Sequence, residues 1–465
     1  MAAGHSIVKN LAELEDLFRS REGVLADLLS LVGSALTAVE PRGLIQRKVE
    51  IRAGELIVGG EALCLREFRE IWVVSVGKAA PGMARGMLDV LDRPVGKCIV
   101  IAPVGSDTSI IEGEAEVHLA SHPIPDESGL KAQARLLEEL STASSDTLII
   151  FLLSGGSSAL LPAPATGLNL EDEAEVTRRL MNAGATIEEL NIVRKHISSI
   201  KGGQLARMMM PARVLCLILS DVPGDRLDVV GSGPTVPDPS TFRDAYNVLV
   251  RRGVWHDAPA RVRERIEAGM AGTVEETPKP GDRVFQRVTN FLIGSVSDAC
   301  EAAAQAAREM GYDAVILSRS FEGEASSLGI LLGSIAIELE GRAGVLYVLG
   351  GESTVRVKGG GVGGRNQELA LAALTRLRRD SRCLVVSIGT DGVDGPTDAA
   401  GAIACSEQIA RAESLGLDPL DYLERNDSYT FFKQIGGHIV TGPTGTNVGD
   451  VVLVLSPRIE RTDKP

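Results

Sequence analysis

The chain has 465 residues, of which 44% are apolar and 24% charged, and its 48 basic and 62 acidic residues give a net charge of −14. This length predicts two or three domains, and the composition excludes a disordered, a collagenous and a disulfide-framework protein. The acidic balance also argues against nucleic acid or an anionic membrane as a partner.

The first predicted elements are a helix and a hairpin. Apolar residues recur at helical spacing from Val8 to Glu40, and Pro41 is predicted to end this helix. The stretch VEIRAGELIVGG, residues 49–60, alternates around a glycine turn, which predicts a β-hairpin. We interpret both as packing elements.

A repeated order of apolar run, polar turn and Ala/Leu-rich helix follows. The runs IWVVSVG, TLIIFLL and RVLCLIL, which begin at residues 71, 147 and 213, are continuously apolar or nearly so. Strands of this kind are buried on both faces, and their alternation with helices predicts a parallel sheet. Residues 1–275 are therefore predicted to form a doubly wound, Rossmann-like α/β domain.

The polar, proline-containing stretch from Glu267 to Arg283 is the best candidate for a linker. A second α/β domain is predicted over residues 284–465, with its first strand at NFLIGS, residues 290–295. Its sheet is predicted to be mixed, because the residues from Ser353 to Val357 alternate in polarity.

The cysteines and the N-terminal residues indicate the cellular compartment in which the protein is expected. Six cysteines form no CxxC motif and lie mostly in apolar runs, as reduced core thiols do, so structural zinc is not expected. The first residues lack the basic and apolar regions of a signal peptide, and no run approaches the ~20 apolar residues of a membrane span. We therefore expect a cytoplasmic protein without a membrane partner.

Polar clusters follow the predicted buried strands, where open α/β sheets bind ligands. Lys78 is interpreted as a clamp for phosphate or carboxylate, and a solvated turn lysine is the alternative. A glycine-rich turn offers backbone and hydroxyl groups to a phosphate through Ser154, Gly155, Gly156 and Ser157. Glycines after a strand also serve simple tight turns.

The segment 191–203 concentrates cations in an otherwise acidic chain. Arg194, Lys195 and Lys201 lie within eight positions, together with His196. We interpret this segment as an anion-binding site, and a solvated basic face is the alternative.

Two acidic turns offer carboxylates for a metal ion or a general base. Asp221 and Asp225 follow one buried run, although aspartates often cap turns. Asp391, Asp394 and Asp398 follow another run at spacings of three and four. A metal, ribose or general-base role there competes with a capping loop.

The strongest cluster surrounds Arg365, which follows the glycine-rich run 359–364. We identify no packing need for these glycines, and so expect a large ligand to approach the backbone closely. Arg365 offers a planar fork to a carboxylate or phosphate.

These clusters together describe a site for two anions and a hard cation, as phosphoryl transfer requires. The Walker A string GxxxxGK[ST] and the protein-kinase signature set are absent from the sequence. The chain is therefore not expected to be a P-loop NTPase.

Seven ordered motifs resemble the family of glycerate 2-kinases of the MOFRL type: VGKAAPGM, SGGSSAL, NIVRKHISSIKGGQLA, SDVPGD with GSGPT, GGESTV, GGRNQELALA and GTDGVDGPTDAAGA. The resemblance covers about residues 71–455. It implies a two-domain α/β enzyme that phosphorylates D-glycerate from ATP with Mg²⁺, giving 2-phosphoglycerate in a cleft between the domains. The expected partners are these small molecules, and a homodimer is one option for the assembly.

The resemblance implies that the catalytic residues are Lys78, Arg365 and Asp391. From the motifs we expect substrate contacts from Lys195, Ser198, Lys201, Glu352 and Asn366. We expect phosphate contacts from Ser154, Gly155, Gly156, Ser157, Gly361, Gly363 and Gly364. We expect metal ligands at Asp221 and Asp225, with Asp394 as a third candidate. The chain departs from the family at Gly360 and Val362, where basic residues are frequent, so phosphate contacts there are in doubt.

Two other functions compete with this interpretation. Gly359, Gly361 and Gly364 satisfy GxGxxG before a helix, and members of this family have been labelled hydroxypyruvate reductases. Against an NAD(P)H enzyme, Asp391 lies 391 − 364 = 27 positions beyond the last glycine, whereas a dinucleotide fingerprint places its acidic residue at about 20. The second alternative is a small-anion sensor without turnover.

Overall fold

A computed structural model describes residues 7–459 of the chain, which divides into two compact units. The parallel-sheet unit comprises Pro41–Ser220 and Asp225–Ile293. The mixed-sheet unit comprises residues 7–40, Asp221–Gly224 and residues 294–459. The outermost residues of the two predicted domains, 1–6 and 460–465, lie outside the described residues.

The helices are, in chain order, α1 (Leu11–Leu17), α2 (Glu22–Ala38), α3 (Pro41–Lys48), α4 (Ala80–Val90), α5 (Glu127–Leu140), α6 (Ser157–Leu160), α7 (Leu170–Asn182), α8 (Ile187–Ile197), α9 (Gln204–Met208), α10 (Phe242–Arg251), α11 (Ala260–Met270), α12 (Val296–Glu309), α13 (Ala325–Glu338), α14 (Arg365–Leu374), α15 (Ser406–Leu415), α16 (Pro419–Glu424) and α17 (Ser428–Ile435). The strands are β1 (Val49–Arg52), β2 (Glu55–Val58), β3 (Glu61–Cys64), β4 (Glu70–Val76), β5 (Lys97–Pro103), β6 (Glu116–Ala120), β7 (Thr147–Leu153), β8 (Arg213–Leu219), β9 (Val288–Gly294), β10 (Asp313–Glu324), β11 (Val345–Thr354), β12 (Leu384–Gly389), β13 (Gly401–Ala404), β14 (His438–Ile439) and β15 (Asp450–Ser456).

The N-terminal prediction is corrected at two points. Two helices, α1 and α2, replace the single predicted helix, and Pro41 begins α3 instead of ending a helix. Proline is well tolerated in the first turn of a helix, where its missing N–H has no intrahelical partner. The predicted hairpin is confirmed as β1 and β2, which pair antiparallel, and β3 extends it to three strands.

The large sheet of the parallel-sheet unit has the order β6-β5-β4-β7-β8-β9. Every pairing from β6 to β8 is parallel, and all seven residues of β7 are buried, which confirms the predicted parallel sheet. The prediction that NFLIGS starts the second domain is wrong, because β9 is an edge strand of this sheet. Phe291 of β9 packs so closely against Gly59 in the β2–β3 turn that a Cβ there would lie 2.5 Å from its ring.

The sheet of the mixed-sheet unit has the order β10-β11-β15-β12-β13-β14. Only β10 and β11 pair parallel, and the other neighbours are antiparallel, so the predicted mixed sheet is confirmed. Asp450, the first residue of β15, is in register with Gly351 of β11 and Gly389 of β12. It therefore lies level with the last residue of β12 and with a position three residues before the end of β11.

All six cysteines are free, and five of them are buried, as expected of reduced core thiols. Between residues 7 and 459, no single helix is long and apolar enough to cross a membrane. The helices α2 and α3 meet that criterion only when taken together, a weak signal that buried core helices also give.

Candidate active site

Asp450 organises the polar end of the mixed sheet. Its fully buried carboxylate accepts hydrogen bonds from Arg365 Nε at 2.7 Å and Arg365 Nη2 at 2.9 Å. Asn366 Nδ2 donates to the same carboxylate at 2.9 Å. This two-point pairing fixes the plane of the guanidinium. Asp450 was not among the predicted site residues, because its only signal in the sequence is a carboxylate at the start of an apolar run.

The guanidinium of Arg365 also contacts Glu352, with 2.8 Å between Nη1 and Oε1. Burial opposes the charge of Arg365, but attraction to Asp450, Glu352 and Asp394 outweighs that effect and raises its pKa. Arg365 is therefore a permanent cation held in place by carboxylates. Predicted residues Arg365, Glu352 and Asn366 are brought together here.

Asp394 forms the N-terminal cap of α14. Its carboxylate accepts the backbone N–H groups of Asn366 at 3.0 Å and Gln367 at 2.9 Å, and the side-chain amides of both residues. Burial raises the pKa of Asp394 to about 6, although these hydrogen bonds favour its charged form. Because four N–H groups donate to its oxygens, Asp394 caps this helix, and its role as a third metal ligand stays a prediction.

Asp391 lies beside this network. A Cβ placed on Gly389 would lie 3.3 Å from Asp391 Oδ1, 3.4 Å from Asn366 Nδ2 and 3.6 Å from Asp450 Oδ1. The same Asp391 oxygen accepts the backbone N–H of Val393 at 3.2 Å. The predicted catalytic pair, Arg365 and Asp391, is thus in one cluster.

The inference that packing does not explain the glycine run is wrong. Added Cβ atoms would lie 2.4 Å from Asp427 at Gly361, 2.2 Å from Ser428 at Gly363 and 2.3 Å from Asp394 at Gly364. Close packing within the mixed-sheet unit therefore requires glycine at these positions. Phosphate contacts from these residues stay a prediction.

In the parallel-sheet unit, the adjacent strands β4 and β7 bring their following turns together. The backbone N–H of Lys78 donates to Gly155 O at 2.8 Å, and the backbone N–H of Ala79 donates to Ser154 Oγ at 3.1 Å. A Cβ on Gly156 would lie 3.3 Å from Lys78 Cγ and 3.1 Å from the His122 ring. Lys78 and the predicted phosphate turn are therefore neighbours, and His122 is an addition that the sequence analysis missed.

Two predicted substrate contacts of the cationic segment have internal partners. The buried Lys195 Nζ lies 3.5 Å from Asp238 Oδ1 and 3.6 Å from Asp228 Oδ2. Ser198 is fully buried, and its hydroxyl donates to Ala163 O at 3.0 Å. Substrate contacts from Lys195 and Ser198 stay predictions.

Lys201 and Ser157 have a different environment. Both are buried, and they line one cavity together with Ser158, Gly231 and apolar residues of β4 and β7. Ser157 Oγ has no hydrogen-bond partner among the described residues. Burial lowers the pKa of Lys201, and Glu173 partly offsets this effect.

The predicted metal ligands Asp221 and Asp225 fall in different units. Within the mixed-sheet unit, Asn447 Nδ2 donates to Asp221 Oδ2 at 3.1 Å. Across residues 7–459, no group of three or more His, Cys, Asp or Glu side chains is arranged to hold a metal ion.

Comparison with known proteins identifies the family. Residues 345–450 match the MOFRL family, and residues 27–267 match a domain of unknown function, DUF4147. A glycerate 2-kinase of Pyrococcus horikoshii is 41% identical, over 92% of this chain and 96% of its own. The chain belongs to the glycerate kinase family of the MOFRL type.

A sequence and a crystal structure from Thermotoga maritima are also similar to this chain. A D-glycerate 2-kinase is 41% identical over 82% of this chain and 90% of its own length. The crystal structure of a glycerate kinase superposes with a TM-score of 0.80 at 37% identity, covering 94% of this chain and all of that one.

The glycerate kinase fold also accounts for the GxGxxG match. A dinucleotide-binding unit needs two adjacent parallel strands joined by the helix that follows the glycines. Here β15 lies between β11 and β12, and both pair antiparallel to it. The glycine run is therefore not part of a dinucleotide-binding βαβ unit.

Proposed function

We propose that this protein is an ATP-dependent D-glycerate 2-kinase. It transfers the γ-phosphoryl group of ATP to the 2-hydroxyl of D-glycerate and releases 2-phosphoglycerate and ADP. The observation that carries the proposal is Arg365, fixed by Asp450 beside Asp391, in a member of the glycerate kinase family. This arrangement pairs an oriented cation with a carboxylate suited to receive a hydroxyl proton.

In the proposed reaction, Asp391 accepts the proton of the 2-hydroxyl, and the resulting oxygen bonds to the γ-phosphorus. The bond from the γ-phosphorus to the β–γ bridging oxygen breaks, and its electrons leave with ADP. Lys78 offsets charge on the transferring oxygens, and Arg365 orients the substrate carboxylate. Such fixed charges are a main source of rate enhancement in phosphoryl transfer.

The donor set of the mixed-sheet unit fits Mg²⁺ through Asp221. Mg²⁺ in nucleotide sites takes one or two protein carboxylates, with phosphate and water oxygens as its other ligands. Asp221 supplies hard carboxylate oxygens, one of which accepts a hydrogen bond from Asn447 Nδ2. Asp221 would hold Mg²⁺, whose positive charge would offset that of the phosphates. A role for Asp225, a cytoplasmic location and a homodimer stay predictions.

The test is ³¹P NMR of the product formed from D-glycerate, ATP and Mg²⁺. We expect 2-phosphoglycerate, and Lys78→Ala should lower kcat by about 100- to 1,000-fold while the protein stays folded. Wild-type turnover by this variant would remove Lys78 from the mechanism. NADH oxidation with hydroxypyruvate, without phosphorylation of D-glycerate, would replace the kinase by the reductase.

A further inference from the structure

Lys201 is a buried cation without a direct counter-charge in the described part of the chain. It is 4% exposed, and among residues 7–459 no acceptor or carboxylate lies within hydrogen-bond or ion-pair distance of its Nζ. Burying an ammonium group without a partner is costly. A structural role therefore leaves the burial of this group unexplained.

A second polar group in the same cavity also lacks a partner. Ser157 is 5% exposed, its Oγ makes no hydrogen bond in the described part of the chain, and it lines the cavity with Lys201. The Oγ atom lies only 2.6 Å from where Gly231 would carry a Cβ. Glycine at 231 thus leaves space directly beside this hydroxyl.

Polar side chains adjoin the serine side of the cavity, whose other lining residues are mostly apolar. Ser158 Oγ lies 3.4 Å from Ser232 Oγ, which donates to Asn191 Oδ1 at 2.9 Å. The buried Asn191 Nδ2 has no partner among the residues described. Several hydrogen-bond donors therefore lie in or next to the cavity.

Arg194 adds a second cation to this region. It is half-buried, and Glu173 acts on both Arg194 and Lys201 without forming an ion pair with either. Burial raises the pKa of Glu173, so its carboxylate is a weak counter-charge for the two cations. An incoming anion would supply the missing counter-charge.

We propose that the cavity of Lys201 and Ser157 is an oxyanion subsite, in which the ammonium and hydroxyl groups bind one carboxylate or phosphate group. The cavity admits little more than one water-sized atom, so one oxygen of the anion enters it. The buried ammonium and the unpartnered hydroxyl support anion binding without reference to the proposed function. The identity of the anion rests on the proposed function, in which it is the carboxylate of D-glycerate or a phosphate of ATP.

The experiment measures ligand binding by titration calorimetry and both KM values, for wild type, Lys201→Met and Ser157→Ala. The probes are D-glycerate alone and ATP alone. We expect both variants to bind one of the two probes about tenfold more weakly, with KM raised for that substrate only. Weaker binding of D-glycerate by the variants would identify the anion as its carboxylate. Weaker binding of ATP would identify the anion as a phosphate group. Lys131→Met, on an exposed position of α5, is the matched control and should match wild type.

Thermal unfolding without ligand separates binding from structure. Lys201→Met should unfold at or above the wild-type temperature, because it removes an uncompensated buried charge. A lowered unfolding temperature for Lys201→Met, with unchanged binding by Ser157→Ala, would overturn the subsite. If both variants bind D-glycerate and ATP with wild-type affinity, the subsite is overturned, whereas the proposed kinase activity is unaffected. If no phosphorylation occurs but inorganic phosphate binds wild type more tightly than the variants, the proposed function fails and the subsite stands.

Discussion

Two charged regions of this molecule contain similar residues, but cations are in excess in one and carboxylates are in excess in the other. In the parallel-sheet unit, Lys201 and Arg194 share one carboxylate, Glu173, at more than ion-pair distance. In the mixed-sheet unit, Arg365 alone meets Glu352 and Asp450 directly, with Asp394 close by. A cation that is ion-paired to carboxylates holds a fixed position in a site, whereas a cation without an ion pair can bind an incoming anion. The balance of charge therefore separates the two roles better than residue type does.

The largest expected effect on stability comes from removing one carboxylate of the ion-paired cluster around Arg365. Asp450→Asn should lower the free energy of unfolding by about 3–5 kcal/mol, because it removes the carboxylate from a buried ion pair. Urea unfolding measures the loss. Asp16→Asn is the control, because Asp16 pairs with Arg19 and Arg411 at exposed positions, where the loss should be about 1 kcal/mol or less. Equal losses for the two variants would contradict the assigned role of Asp450.

A third buried group, His438, stays uncharged and so extends the comparison to a residue without an ion pair. His438 Nε2 lies 3.1 Å from Gln367 Oε1, and burial lowers the pKa of His438 from 6.5 to about 4. Its contribution to stability is therefore complete above pH 6.5 and is lost as the pH falls towards 4, because the unfolded chain takes up the proton first. The loss attributable to this group is about 3 kcal/mol.

Unfolding by urea at pH values from 7 to 4 tests this contribution of His438. His438→Gln should show a flatter dependence of the unfolding free energy on pH than wild type. Parallel profiles for the two proteins would show that the histidine does not titrate as expected.

The next effect compares two lysines that are both 4% exposed. Lys195→Met should lower the free energy of unfolding by about 2 kcal/mol, because Asp228 and Asp238 lose their shared cation. Lys201→Met should cause no loss, since no ion pair is broken. Urea unfolding of both variants checks the difference. The comparison fails if Lys201→Met proves the more damaging change.

The smallest expected effect concerns Glu173. Glu173→Gln removes the carboxylate that competes with a bound anion for Arg194 and Lys201, so the affinity for the subsite's anion should rise about threefold. Titration calorimetry with D-glycerate and with ATP measures the change. A weaker affinity would show that Glu173 assists binding.

Sequence alone predicted much of the fold, because continuous Val/Ile/Leu runs of the length of β7 are typical of strands buried on both faces. It also placed Lys78 and the turn at 154–157 directly after buried strands, where open α/β sheets bind ligands. It misplaced β9, because a short apolar strand fits the edge of either sheet.

The candidate site was less predictable, since its chemistry depends on partners distant in the chain. Lys195 and Lys201 look alike in sequence, and only folding brings Asp228 and Asp238 to the first of them. Asp450 looked like the start of an ordinary strand, although it holds Arg365, which lies 450 − 365 = 85 positions earlier. The glycine run suggested a ligand, whereas its closest neighbours belong to the same unit.

The assignment of residues 7–40 to the mixed-sheet unit has a consequence for synthesis on the ribosome. Helix α2 ends at residue 38, but it packs against α12, which begins at residue 296. At typical translation rates of about 5–20 residues per second, its apolar side waits roughly 13–52 seconds for that partner to emerge. During this interval the nascent chain exposes the apolar side of this helix, which is the kind of surface that chaperones bind.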